Sequence, residues 1–207
     1  MSLERVVLLR HGRTTWNAQR RMQGRLDPEL DETGLAQATA AAAVMPEYDP
    51  TVLVASDQVR AWQTAEAVAK ATGLTPRPDP RLRETSVGRW EGLTGDEVDA
   101  GWPGGLNSWR HDPTWAPPDG ESRVEVARRA GPVIDDLVAE LADVDDRATA
   151  MVVAHGGTII ALTASLLGWP VDVWPSLAPL RNCHWSVLAH GALDGDRWRL
   201  TGWGQGA

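Results

Sequence analysis

The 207 residues include no phenylalanine, one tyrosine, one lysine (Lys70) and one cysteine (Cys183). A lone cysteine excludes an intrachain disulfide and a thiolate zinc centre within one chain, and it fits a reducing compartment. No apolar run is long enough to span a bilayer, and Met1-Ser2-Leu3-Glu4 leads directly into a strand-like stretch instead of a basic, apolar leader. The expectation is therefore a cytoplasmic chain without a membrane partner. A basic surface is missing as well: the net charge of −8 argues against a nucleic-acid binder. No two histidines have the spacing of a metal motif, so neither a metal nor a cofactor is expected.

What is present describes a soluble globular chain. Its 43% hydrophobic and 23% charged content predicts one domain over residues 1–207, large enough for a single core. Acidic residues vanish between Glu4 and Asp27, where Arg5, Arg10, Arg13, Arg20, Arg21 and Arg25 fall. A basic island on an acidic protein suits a small anion, and a solvated arginine run is the alternative.

Strand-like and helix-like stretches alternate. Val6 to Leu9 reads as a buried strand that empties into Arg10-His11-Gly12. Thr33 is expected to cap a helix over Ala36 to Val44, closed by Pro46. Thr51 to Ala55 reads as a second strand, followed by a helix capped by Ser56 or Asp57 and stopped at Gly73. Ser122 and Glu125 form a capping box for a helix that Pro132 should kink. Ala148 to Ala154 reads as a third strand, ending in His155-Gly156-Gly157 before a helix over Thr158 to Leu167. His184 to Ala189 and Arg197 to Trp203 read as a hairpin turning at Asp194-Gly195. The implied fold is α/β: a mostly parallel central sheet with helices on both faces and ligands beyond the strand carboxyl ends. Residues 88–120, rich in Gly, Pro and Trp, read as a lid-like insertion over that edge.

Leu8-Leu9-Arg10-His11-Gly12 with Thr15, Asn17 and Gly24 resembles the signature of the histidine phosphatase superfamily, which has a phosphoglycerate mutase-like fold. Leu30, Thr33-Gly34 and Gln37 follow in the family's order, then Ser56-Asp57, Arg60-Ala61 and Thr64-Ala65, Glu84, and Val153-Ala154-His155-Gly156-Gly157. The resemblance implies a phosphomonoester hydrolase that acts on a small phosphorylated metabolite through a phosphohistidine on His11. A neutral imidazole on a rigid strand end is a good nucleophile for in-line attack. Arg10 and Arg60 offer guanidinium forks to phosphate oxygens, with His155 as a further donor. The family pattern makes Glu84 the proton donor to the leaving group, and Asn17, Gln23, Gly24 and Gly156 fall among its substrate-binding positions. Taken singly, His155 also reads as a core histidine. His111, His184 and His190 read as structural.

After Glu84 comes Thr85-Ser86-Val87-Gly88-Arg89-Trp90-Glu91-Gly92, which resembles the phosphatase branch, whereas mutases carry a longer charged insertion. Cofactor-dependent phosphoglycerate mutase stays the alternative, and a non-catalytic phosphate-binding module the second. Arg21 to Asp27, Arg81 to Thr85, Trp109-Arg110, Thr114 to Pro117, Gly120 to Arg123 and Trp174-Pro175 are similar to stretches of the actinobacterial glucosyl-3-phosphoglycerate phosphatases. Trp90, Trp102, Trp109 and Trp115 crowd the insertion, and Trp109 and Trp115 are candidates to stack on a sugar; core filling in place of phenylalanine is the other reading. A homodimer is left open.

Overall fold

The computed structural model describes residues 3–142, 147–191 and 197–207. In chain order it forms β1 (Leu3–Arg10), α1 (Thr15–Ala18), α2 (Glu32–Val44), β2 (Val52–Ala55), α3 (Val59–Thr72), β3 (Arg77–Pro78), α4 (Gly95–Gly101), α5 (Gly105–His111), α6 (Arg123–Glu140), β4 (Ala148–Ala154), α7 (Gly156–Leu166), β5 (Trp185–His190) and β6 (Trp198–Gln205). The six strands form one sheet in the order β3-β2-β4-β1-β5-β6. β3, β2, β4 and β1 pair in parallel, and β5 and β6 complete one side antiparallel.

The run Val6-Val7-Leu8-Leu9 is apolar throughout because both faces of β1 are covered. Val6 and Leu8 pack with Val133, Ile134 and Leu137 of α6 and with Ile159 and Leu162 of α7. Val7 and Leu9 face the other way, onto Ala38, Ala41 and Ala42 of α2 and Ala61, Ala65 and Val68 of α3. The small alanine faces let α2 and α3 lie close to the sheet.

Helix starts depart from the sequence reading where chemistry elsewhere claims the capping side chain. Asp31, not Thr33, caps α2, its carboxylate accepting from the Gly34 N–H, while the Thr33 hydroxyl accepts from Arg13. Pro46 does not end the chain's helical path but opens a 3-10 turn over Met45–Tyr48. Neither Ser56 nor Asp57 caps α3: Ser56 pairs with His155, Asp57 with Arg83, and the Val59 N–H donates to Asp27 instead. Gly73, at φ 75°, does terminate α3, and the Ser122/Glu125 box does open α6, which runs unbroken through Pro132. His155 itself is the N-cap of α7, which therefore starts two residues before Thr158. The Asp194-Gly195 turn lies outside the described residues.

Residues 88–120 hold α4 and α5 on a small core of their own. Val87, Trp90, Val98 and Leu106 are buried there, with Met22, Leu93, Trp102, Trp109 and Trp115 against them.

The loop that follows β1 is pinned by a backbone-to-backbone approach. A Cβ on Gly12 would lie 2.5 Å from the Gly34 carbonyl oxygen, and one on Gly34 would strike the Arg13 carbonyl. Gly34→Ala should therefore cost about 2 kcal/mol by overpacking, read as a lower urea midpoint at unchanged slope. An unshifted midpoint would show that the loop yields freely.

Candidate active site

Sheet register assembles the site. β1 and β4 pair Arg10 with Ala154, and β2 and β4 pair Ala55 with Val153. The residues just past these strand ends, His11, His155 and Ser56, therefore emerge side by side at the carboxyl edge. The two imidazole centroids stand 5.1 Å apart, near the ~4.8 Å spacing of neighbouring strands.

Hydrogen bonds fix what each ring can do. His11 Nδ1 lies 2.7 Å from the Gly12 carbonyl oxygen, which only accepts, so Nδ1 carries the proton and Nε2 keeps its lone pair. Ser56 Oγ accepts from the Gln58 N–H and lies 2.8 Å from His155 Nε2, to which its own hydroxyl can donate. In that arrangement His155 Nδ1 carries the proton, and this buried atom has no partner. Both rings are held neutral: burial, then the charge of Arg60, lowers their pKa values well below the ordinary one. Cys183 offers no rival nucleophile, since burial pushes its thiol up to about 12.

A cavity of about 180 Å³ lies over His11, lined also by Arg10, Arg60, Glu84, Asn17 and Trp109. Arg60 is fully buried; Nη1 donates to Leu26 O and Nη2 to Gly24 O, while Nε has no acceptor. Arg10 donates to Leu180 O and likewise keeps an unpaired, buried Nε. Asn17 Oδ1 is taken by Thr14 and Asn182, so its Nδ2 is the end left to donate. The Glu84 carboxylate sits at the start of α7, accepting N–H bonds from Thr85 (2.8 Å), Thr158 (3.2 Å) and Gly157 (3.3 Å). Buried donors without acceptors, a neutral imidazole and one carboxylate around a small cavity suit a tetrahedral oxyanion and proton transfer.

The predicted residues do not all meet here. Gln23 and Gly24 line the cavity with His11. His155 stands beside His11, and Gly156 lines an adjoining cavity. Trp115 lines neither: its half-buried ring packs 5.5 Å from that of Trp90. Trp90 is fully buried, and Trp102 lies 6.3 Å from it.

Several supporting groups had no sequence signal. Gln58 donates to Gly24 O and accepts from the Glu84 N–H, tying two walls together. Arg129 of α6 grips the carbonyls of Arg81 (2.6 Å) and Glu84 (3.0 Å) and is itself held by Glu121. Glu121 also binds Arg25 and the Ser86 N–H. Arg21 lines the cavity too; it falls in the acid-free stretch and in the resembling stretch Arg21 to Asp27.

The histidine phosphatase superfamily (branch 1) matches residues 6–206. The chain belongs to this superfamily. It is 48% identical over its whole length to the glucosyl-3-phosphoglycerate phosphatase of Mycobacterium tuberculosis, covering 97% of that protein. It is 34% identical over 96% of its length to the probable phosphoglycerate mutase GpmB of Yersinia pestis, covering 89% of it. Among solved structures, mycobacterial glucosyl-3-phosphoglycerate phosphatase complexed with VO3 superposes with a TM-score of 0.92 at 47% identity, covering 97% of this chain and 98% of that one. The same enzyme with inorganic phosphate gives 0.89, covering 98% of each chain. By this kinship the protein is a phosphatase. No helix among the described residues is long and apolar enough to cross a membrane.

The lowered histidine pKa values set a pH dependence. In the unfolded chain these imidazoles take protons as pH falls through about 6.5, whereas the folded rings stay neutral. The unfolded state then binds more protons, so stability is intact above that pH and declines below it. Denaturation midpoints should fall between pH 7 and pH 5, and ring NMR signals of His11 and His155 should keep neutral-tautomer shifts through pH 6. A ring titrating near its ordinary pKa would contradict the burial argument.

Proposed function

We propose that the protein hydrolyses a phosphomonoester of a small metabolite, glucosyl-3-phosphoglycerate being the favoured substrate, through a phosphohistidine on His11. The observation that carries this reading is the His11 ring itself. Its Nδ1–H is committed to Gly12, so Nε2 is a lone-pair nitrogen on a rigid strand end beside two guanidinium groups.

Nε2 attacks phosphorus, the bond to the ester oxygen breaks, and the departing alkoxide takes a proton from Glu84. Water then attacks the phosphohistidine, Glu84 accepts its proton, the N–P bond breaks, and inorganic phosphate leaves. Throughout, Arg10, Arg60, His155 Nδ1 and Asn17 Nδ2 donate to the nonbridging oxygens, whose charge peaks in flight. These fixed cations do the work that a metal ion does in other phosphatases.

The substrate assignment draws on the mycobacterial relatives and comes to this chain by proposal alone. Mutase is the second reading, favoured by the Yersinia relative. Against it, Arg89 of the insertion is exposed and paired with Asp119, and does not line the cavity over His11. Intact His11 and Glu84 speak against a non-catalytic module. The lone cysteine and acidic balance further lead us to propose a cytoplasmic enzyme that binds no nucleic acid.

His11→Ala should lower turnover by more than about 10⁴-fold, as loss of a covalent nucleophile does, and should abolish labelled phosphohistidine in alkali-quenched enzyme. Substantial residual turnover would overturn the mechanism. A phosphate-release screen over glucosyl-3-phosphoglycerate, 3-phosphoglycerate and sugar phosphates tests the substrate; interconversion of phosphoglycerates outpacing phosphate release would favour the mutase.

Glu84→Gln tests the proton transfer. A phenolate needs little protonation on leaving and an alkoxide much, so the variant should lose about 10²-fold or more on alkyl phosphates and far less on nitrophenyl phosphate. Equal losses would assign Glu84 to phosphate positioning instead.

A further inference from the structure

Asn182, in the loop that leads into β5, has one amide nitrogen among three oxygens. Its Nδ2 lies 3.0 Å from the His11 carbonyl, 3.2 Å from the Gly12 carbonyl and 3.3 Å from Asn17 Oδ1. The partners settle which end of the amide faces them. Two are main-chain carbonyls, which only accept, and Asn17 Oδ1 already accepts from the Thr14 N–H at 3.1 Å. A nitrogen of Asn182 must therefore face all three, and its two N–H bonds serve three acceptors.

The surrounding loop is wrapped around the end of β1. The Cys183 N–H points at Arg10 O (3.2 Å) and His11 O (3.3 Å), and the Arg10 N–H donates to His184 O at 3.0 Å. Cys183 takes φ 54°, a left-handed conformation that is costly for a residue with a Cβ. Through this turn two consecutive residues, Asn182 by its side chain and Cys183 by its N–H, grip the same stretch Arg10-His11-Gly12.

Two of the oxygens on Asn182 have a second connection. Gly12 O also accepts from His11 Nδ1 at 2.7 Å, the bond that leaves Nε2 its lone pair. A carbonyl oxygen has two lone pairs, so with one on the imidazole and one on Asn182 the Gly12 carbonyl cannot turn from either donor without straining the other bond. Asn17 Oδ1 belongs to the amide that lines the cavity over His11, whereas Asn182 itself does not line it.

We propose that Asn182 is a positioning residue for the nucleophile. Its amide holds the Gly12 carbonyl on His11 Nδ1, and with it the reactive tautomer of the ring, while keeping the Asn17 side chain turned with Nδ2 free to donate. The inference rests on the phosphohistidine reading, because the tautomer matters to turnover only if Nε2 attacks phosphorus.

Asn182→Leu, of similar size but without a donor, tests it. With its second donor gone the Gly12 carbonyl is freer to leave Nδ1, and ring-nitrogen NMR of the resting enzyme should show an Nε2–H form of His11 that the unaltered protein lacks. The ratio kcat/KM, which reports the step in which His11 attacks, should fall about tenfold or more, as for a misplaced reacting group, and equally for alkyl and nitrophenyl phosphates. Asn182→Ser, with one donor on a shorter stem, should show both changes to a smaller degree, and it keeps the test open if leucine prevents folding. An unchanged tautomer would overturn the proposal whether or not activity falls, since a purely structural role lowers activity and the urea midpoint without moving the ring proton. A mixed tautomer with unaltered kcat/KM would overturn it as well. Failure of the phosphohistidine reading is separable: it shows as an absence of labelled phosphohistidine in the unaltered protein.

Discussion

Arg10 and Arg60 are sunk beside a histidine, and much of the surrounding structure serves to keep them there. An unpaired buried ion costs several kcal/mol even after relaxation, and Asp27, 3.3 Å from Arg60 with its own side chain 36% exposed, offsets that for Arg60 only in part. The remainder falls to the main-chain carbonyls of Gly24, Leu26 and Leu180. Carbonyl dipoles satisfy donors without cancelling charge, so the site keeps a positive potential. That potential disfavours protonated imidazole and favours a phosphoryl group, and the same electrostatics therefore prepares both nucleophile and target. Guanidinium suits this use better than ammonium, since part of its planar fork can be tied to carbonyls while the rest stays available. The loops carrying those three carbonyls become part of the site through this constraint.

Residues legible in the sequence were those whose placement follows from strand register. His11 and His155 each end an apolar run, and a parallel pairing of those runs brings them together with no further information. Arg60 and Glu84 were legible through the family resemblance, and the helix after β2 starts at the same edge, which brings Arg60 there. The groups that escaped are joined by pairings that no local pattern encodes: Arg129 reaches back 45 residues to Glu84 and 48 to Arg81, and Arg25 reaches forward 96 to Glu121. The helix caps failed for a related reason. Ser56 and Asp57 have the right chemistry for a cap, but His155 and Arg83 compete for them across the fold, and Asp27 from another loop fills the post they leave.

In the insertion, the absence of phenylalanine explains more than substrate does. Trp90 is fully buried, with Trp102, Trp109 and Trp115 around it at 5.5 to 6.3 Å, the separations of ordinary aromatic packing. Of these four, Trp109 alone lines the cavities on either side of it. The cluster thus holds one tryptophan rigidly at the wall between the two cavities, while its other members supply the stiffness.

In the proposed mechanism Glu84 gives and takes a proton within one catalytic cycle, and its hydrogen bonds distinguish its two oxygens. Oε1 accepts from Thr85 and Thr158, at 2.8 and 3.2 Å, while Oε2 accepts one longer bond, 3.3 Å from Gly157. Two main-chain donors leave Oε1 little capacity, and a proton placed there would face N–H groups that cannot accept it. Oε2 is the less encumbered oxygen and is the atom we assign to proton transfer. Two of the three donors, Gly157 and Thr158, come from α7, whose N-cap is His155. The strand end that carries His155 therefore also starts the helix whose N–H groups hold Glu84. A shift of that strand would move both groups together, so the distance between phosphate and proton donor is set by one continuous stretch of backbone.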